Sequence, residues 1–231
     1  MPVGVIVNSL AIVLGGIAGA AFGRRLSQEF KEKLNLVFSI CAMGIGISSI
    51  VLMSNLPAVI LSLSLGTIIG TVLHLGRRIE AAGAKMAGFF PAKGEGQDLP
   101  LLVTTIVLFC ASGSGIFGSI VSGISGDHSI LLAKSILDLF TAMIFACSLG
   151  MVVSAIAIPQ CVIFLLLFYA ARVLYPLTTP EMINDFKAVG GLILVATGLR
   201  IAKIKDYPIA DMIPGMILVW PISWMWAAWI A

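Results

Sequence analysis

Apolar runs of helical length recur along the whole chain, separated by short polar, glycine- or proline-containing breaks. Eight such segments are read, at residues 3–22, 34–53, 57–75, 100–121, 130–152, 158–175, 187–202 and 209–230. A hydrocarbon core of ~30 Å takes about 20 helical residues, so most of them are long enough to cross a bilayer. The seventh is short and Gly-rich, and the fourth is interrupted by glycine and serine, which marks either one as a discontinuous or re-entrant segment. The pattern predicts an all-α, polytopic transmembrane helical bundle of about eight spans. It forms a single integral membrane domain over residues 1–231 with one long cytoplasmic connector at about 76–99. The charged stretch from Ser27 to Lys33 reads as a short helix on the inner surface.

Composition agrees. The chain is 59% hydrophobic and only 11% charged, against about 45–50% and 25% in soluble domains. A cleaved signal peptide would account for one apolar segment, not for eight. Charge placement sets the orientation. With the first loop cytoplasmic, Arg24, Arg25, Lys31, Lys33, Arg77, Arg78, Lys85, Lys93, Arg200, Lys203 and Lys205 all lie inside, and only Lys134, Arg172 and Lys187 do not. The positive-inside rule then places both termini on the outer, periplasmic side of a bacterial inner membrane. Trp220, Trp224, Trp226 and Trp229 read as an outer aromatic belt on the last span. The net charge of +3 reflects this topology and says nothing of nucleic acid, for which no partner role is expected.

Helices in lipid pack through small residues. Gly15, Gly19 and Gly23 recur at four-residue spacing, as do Ser62, Gly66 and Gly70. The fourth segment has two such rows, Ser114, Gly118, Ser122, Gly126 and Ala111, Gly115, Ser119, Gly123. These rows fit a tight bundle and are compatible with a homodimer. The hydroxyls of Ser112, Ser114, Ser119, Ser122 and Ser125 fit either packing or the lining of a polar cavity. A weak inverted repeat pairs residues 29–58 with 181–210, matching Glu29 with Glu181, Val37 with Val189, Gly46 with Gly198 and Ala58 with Ala210. Inverted repeats are common in transporters.

The candidate chemistry lies in the fifth segment. At 1.5 Å per residue from Ser129, Lys134 is ~8 Å and Asp138 ~14 Å into the membrane. Lys134 can snorkel outward; Asp138, with one methylene, cannot. An unpaired charge there costs about 2.5–3.5 kcal/mol or more. Two readings compete. Lys134 and Asp138 form a self-neutralising i, i+4 pair, although base-before-acid is the weaker helical order. Alternatively, Asp138 faces a polar cavity with the serines of the fourth span and binds a proton or a cation. Asp127 and Ser129 are capping candidates at the mouth of this span, and His128 lies between them. Asn8 should hydrogen-bond across helices. Asp211 has Lys203 and Lys205 as its simplest partners, and His74 is expected to be solvated at the inner interface. Cys41, Cys110, Cys147 and Cys161 form no Cys-x-x-Cys pair and read as soft core residues. With two histidines and no acidic cluster, no metal, no cofactor and no catalytic residue is expected.

Several stretches carry a resemblance. Gly4-Val-Ile-Val-Asn8 followed by Gly15-Gly16, the run from Leu108 to Gly118, Gly126-Asp-His-Ser-Ile-Leu-Leu-Ala-Lys-Ser-Ile-Leu-Asp138, and the run from Ala188 to Leu199 followed by Ile204-Lys205 resemble the YqgA-type (YdfK/YqgA) family. That is a family of multi-spanning bacterial inner-membrane proteins of unknown function, and the likeness covers essentially the whole chain. It supports the span count and places Gly126, Asp127, Lys134, Ser135 and Asp138 in a family motif. It implies no substrate and no catalytic residue.

The functional expectation is a small-solute or ion transporter or channel with its polar path between spans four and five. Its expected site residues are Asp138, Lys134, Ser135, Asp127, His128, Ser112, Ser114, Ser119 and Asn8. The alternative is a non-transporting membrane scaffold or signalling subunit whose buried polar residues are structural. A membrane enzyme is not expected. The partners expected are the lipid bilayer and a small solute or ion.

Overall fold

The computed structural model describes residues 1–22, 27–90 and 99–229. The expectations placed on Gly23, Arg24, Arg25 and Lys93 lie outside the described residues. The described chain is helical: α1 (Val3–Phe22), α2 (Gln28–Ile50), α3 (Leu56–Val72), α4 (Leu75–Ala87), α5 (Leu99–Cys110), α6 (Gly113–Ser125), α7 (Ser129–Leu149), α8 (Val152–Leu174), α9 (Pro180–Ile201), α10 (Ile209–Met212) and α11 (Pro214–Trp229). A 3-10 turn, Tyr175–Leu177, follows α8. Seven helical segments are long and apolar enough to cross a membrane, and the bent pair α3–α4 raises the number to eight. This is a polytopic transmembrane helical bundle.

Several boundaries move. The seventh segment is not short: α9 begins at Pro180, capped by Thr179, whose side chain accepts from the Met182 N–H. Threonine followed by proline at the first helical position is a strong helix start. The sixth span begins six residues earlier than expected, because Pro159 lies inside α8 rather than at its edge. Transmembrane helices tolerate such a proline, since neighbouring helices and side chains satisfy the freed backbone. The turn before α8 is instead at Gly150, whose φ of 70 suits glycine. The stretch Ser27 to Lys33 is no separate surface helix, as α2 runs unbroken from Gln28. The connector at 76–99 carries a helix, α4, over its first part.

The chain divides into two compact units, residues 1–32 with 78–173 and residues 33–77 with 174–231. In the first unit α1 is seated on α7 through glycine. A Cβ on Gly15 would strike the Leu139 carbonyl oxygen, and one on Gly19 the Met143 carbonyl oxygen. Ascending numbers on α1 meet ascending numbers on α7, so the two helices run parallel. Gly16 rests on Ser154 of α8, antiparallel to α1, and Ser154 Oγ donates to the Val13 carbonyl at 3.1 Å. Gly115 and Gly123 of α6 face Phe164 and Phe168 of α8. Ile12, Leu102, Ile106, Phe109, Ala142 and Ile156 are buried together in the core of this unit.

In the second unit Gly66 and Gly70 of α3 abut Gly215 and Asp211, and Gly46 of α2 abuts Gly191 of α9. Phe186 stacks on Trp220 with ring centroids 4.8 Å apart. The small-residue rows are thus used for packing within each unit.

The fourth segment is interrupted at Ala111 and Ser112: α5 ends at Cys110 and α6 starts at Gly113. The Ser112 side chain caps α6 by accepting from the Gly115 N–H.

Replacing Gly19 with valine forces α1 off the α7 backbone. Overpacking of this kind costs about 1–3 kcal/mol, and equilibrium unfolding in detergent should report a loss in that range, whereas Leu14→Val, on a residue 59% exposed, should be close to neutral.

Candidate functional site

Asp138 is the tenth residue of α7 and is buried at 6% exposure. Lys134, one turn earlier and 5% exposed, donates from Nζ to both Oδ1 and Oδ2 at 2.7 Å. This is the self-neutralising pair, despite the less favourable order of base before acid. Its remaining partners come from α1 and α8. Asn8 Nδ2 donates to Asp138 Oδ2 at 2.8 Å. Gln160 Nε2 donates to Asn8 Oδ1 at 2.7 Å. Ser9 Oγ lies 2.9 Å from Gln160 Oε1. Asn8 and Gln160 are fully buried. The result is a chain of polar side chains joining α7, α1 and α8, closed at one end by an ion pair.

The expectation that Asp138 meets the serines of the fourth span is corrected. Ser119 Oγ donates to the Gly115 carbonyl at 2.7 Å and Ser125 Oγ to the Val121 carbonyl at 2.9 Å, both within α6. Ser112 caps α6 and Ser114 is half-buried. Ser135 Oγ donates to the Leu131 carbonyl at 2.7 Å. The reason is local: a helical serine finds an acceptor in the preceding turn of its own helix. His128 Nδ1 lies 2.6 Å from Ser122 Oγ, tying the mouth of α7 to α6. Asp127 Oδ1 accepts from the Ser129 N–H at 2.9 Å, but the N-cap of α7 is His128, whose side chain makes no capping bond, so neither Asp127 nor Ser129 is the cap. Of the expected site residues, Asp138, Lys134 and Asn8 come together; Ser135, Asp127, His128, Ser112, Ser114 and Ser119 do not join them.

A second buried carboxylate escaped the sequence reading. Asp185 on α9 is fully buried. Oδ1 accepts from the backbone N–H groups of Ser54 and Asn55 at 2.9 and 2.8 Å, and Oδ2 accepts from Asn55 Nδ2 at 3.0 Å and Ser223 Oγ at 2.6 Å. Asn55 is the N-cap of α3, so Asp185 sits at the positive end of that helix and needs no side-chain cation. Asp211 behaves similarly. Oδ1 accepts from the Gly76 N–H at the start of α4 at 3.0 Å, in place of the expected Lys203 and Lys205.

The two carboxylates are counterparts. Asn8 and Asp138 are 130 positions apart, and so are Asn55 and Asp185. The chain repeats at a spacing of 47 residues: Asn8, Ala11, Leu14 and Gly19 match Asn55, Ala58, Leu61 and Gly66, and Ile136 and Asp138 match Ile183 and Asp185. That repeat was the available signal for Asp185. Gln160 gave a weaker one, because the adjacent Pro159 drew the helix boundary onto it. The repeat also isolates what is particular to the first unit. Glu181 stands where Lys134 would be, and α1 begins before Asn8, so no free helix N-terminus is offered to Asp138 by that partner.

A buried ion pair inside a discontinuous, glycine-seamed bundle defines a polytopic membrane protein with a charged centre. Comparison with known proteins places it further. The family profile described as "Protein of unknown function (DUF554)" matches residues 3–224, and the chain belongs to that family. It is 46% identical over 235 residues to the "Uncharacterized protein YqgA" of Escherichia coli (strain K12), with all of both chains covered. It is 27% identical over 224 residues to the "Uncharacterized membrane protein YdfK" of Bacillus subtilis (strain 168), with 93% of each covered. No solved structure matches.

Removing one member of a buried pair leaves an uncompensated charge, at a cost of about 3–5 kcal/mol. Lys134→Ala should lose stability in that range by chemical unfolding in detergent. The double variant Lys134→Met with Asp138→Leu should recover most of it, because an apolar pair of similar volume is often neutral or better.

Proposed function

We propose that the protein is a small-solute or ion transporter of the bacterial inner membrane, with the Lys134–Asp138 pair as its charged centre. One observation carries the reading: an ion pair is kept buried at the junction of α1, α7 and α8. A joint serving stability alone would be made as well by apolar residues, and ionisable groups inside a membrane mark ion or substrate paths. The break between α5 and α6 supports it, since transporters build their sites from discontinuous helices. The polar route of this reading follows α7 between α6 on one side and α1 with α8 on the other. Both termini lie outside, and the protein is not an enzyme.

A second reading is favoured by a specific observation. Both Asp138 oxygens accept hydrogen bonds, and among the described residues no buried side-chain nitrogen or oxygen lacks a partner. That completeness suits a structural joint in a scaffold or signalling subunit.

Single cysteines along 111–125 and 131–141, in a background without the four native cysteines, separate the two. A transporter should show a stripe labelled by a water-soluble thiol reagent at helical spacing on α7, including positions flanking Asp138, and Asp138→Asn should abolish flux in proteoliposomes while the protein still assembles. No labelled stripe, or an Asp138→Asn protein that keeps flux but assembles poorly, selects the joint. An impermeant reagent applied to intact spheroplasts should label a cysteine placed at Asp127 and spare one placed at Lys85.

A further inference from the structure

We propose that Asp138 is a proton-binding site and that Asn8, Gln160 and Ser9 form a reversible hydrogen-bond relay that changes direction when the proton binds. The inference deepens the transport reading, and rests on it for its biological use, by naming the proton as the coupled ion.

The argument starts from donor counting. Ser9 Oγ is within hydrogen-bond distance of two acceptors, the Val5 carbonyl at 3.0 Å and Gln160 Oε1 at 2.9 Å. A hydroxyl has one hydrogen to donate and two lone pairs to accept with, so it cannot serve both. With Asp138 ionised the order is forced: Asn8 Nδ2 donates to the carboxylate, Gln160 Nε2 donates to Asn8 Oδ1, and Ser9 gives its hydrogen to Gln160, leaving Val5 without it.

The reverse order uses the same positions. An amide side chain rotated by half a turn exchanges its oxygen and nitrogen with little movement of either. With both amides turned, Ser9 donates to Val5 and accepts from Gln160 Nε2. Gln160 Oε1 then accepts from Asn8 Nδ2, and Asn8 Oδ1 faces Asp138 Oδ2 at the present 2.8 Å. Two bare oxygens cannot sit at that distance; a proton on Oδ2 makes it an ordinary O–H···O bond. No backbone shift is required, and each order belongs to one protonation state of Asp138.

The proton balance is simple. One proton from water joins Oδ2, and no bond between heavy atoms forms or breaks. Lys134 keeps its own proton, so the pair passes from net zero to one positive charge. Both of its hydrogen bonds go to Asp138, so protonation of the carboxylate leaves a buried ammonium without its counter-charge, which destabilises the closed arrangement. The surroundings offer no substitute: α1, α5 and α6 carry no charged residue, and α8 carries only Arg172 in its last turn. Among titratable groups on the packed helices, the Cys110 thiol on α5 lies in the field of Lys134. The second unit shows the static alternative, since Asp185 takes backbone, amide and hydroxyl donors, with no ammonium among the described residues that bond it.

Infrared difference spectroscopy of the full chain in lipid, between acid and alkaline pH, tests this. The acid state should gain a protonated-carboxyl band that Asp138→Asn lacks, accompanied by side-chain amide carbonyl changes that Gln160→Leu loses. No Asp138-dependent carboxyl band at any pH where the protein stays folded overturns the proposal, and so does a carboxyl band with no amide change. If Asp138→Asn does not fold, Gln160→Leu carries the test, because both charges remain. It must keep a carboxyl band, shifted in position, and lose the amide part; an unshifted band with unchanged amide signals refutes the relay. A protein that passes these tests yet moves no solute in proteoliposomes retains the relay and refutes transport.

Discussion

A carboxylate in a medium of low dielectric must be met by hydrogen-bond donors, by a cation or by a proton, and this requirement organises both units of the protein. Asp185 is met by a helix N-terminus, an amide and a hydroxyl, which together supply four donors to two oxygens. Asp138 is met by an ammonium on its own helix and an amide from α1. The difference follows from where each asparagine sits. Asn55 caps α3 and brings backbone N–H groups with it, whereas Asn8 lies inside α1, where the backbone donors are already committed to the helix. Lys134 makes up the deficit.

These bonds depend on close helix approach. An asparagine side chain is short, and Asn8 spans the gap to Asp138 because α1 lies almost on the α7 backbone, with Gly15 and Gly19 presenting no Cβ to the Leu139 and Met143 carbonyls. Gly16 does the same for α8 against Ser154, which brings Gln160 within reach of Asn8. The glycine rows therefore set the geometry of the polar chain as well as the packing of the bundle. The ion pair lies at one end of this chain, and a hydroxyl facing two acceptors lies at the other.

The internal repeat puts the two solutions side by side. Counterpart positions 47 residues apart share the asparagine, the aspartate and the seam glycine, yet a lysine in one unit is a glutamate in the other. The shared part is what any buried carboxylate needs, and the divergent part is the ammonium that bonds Asp138. Membership of a family whose matched relatives carry no named activity leaves that asymmetry as the most specific chemical feature of the chain.

Membrane residence, the helical class, the approximate spans and the unusual standing of Lys134 and Asp138 were legible in the sequence, because hydropathy and helical rise act locally and Asp138 is too short to escape the bilayer. The break in the fourth span was legible too, from its run of glycine and serine. Partner identity was not. Ser119 and Ser125 of α6 satisfy their own helix, and Asp138 reaches instead to Asn8 and, through Asn8, to Gln160, at sequence separations of 130 for the first bond and 152 for the next. Whether Asp185 lies in a loop or a core rested on where α3 begins. Hydrophobic pattern determines which segments enter the membrane; which donors meet a buried charge depends on distances between helices, and only the packed chain sets those.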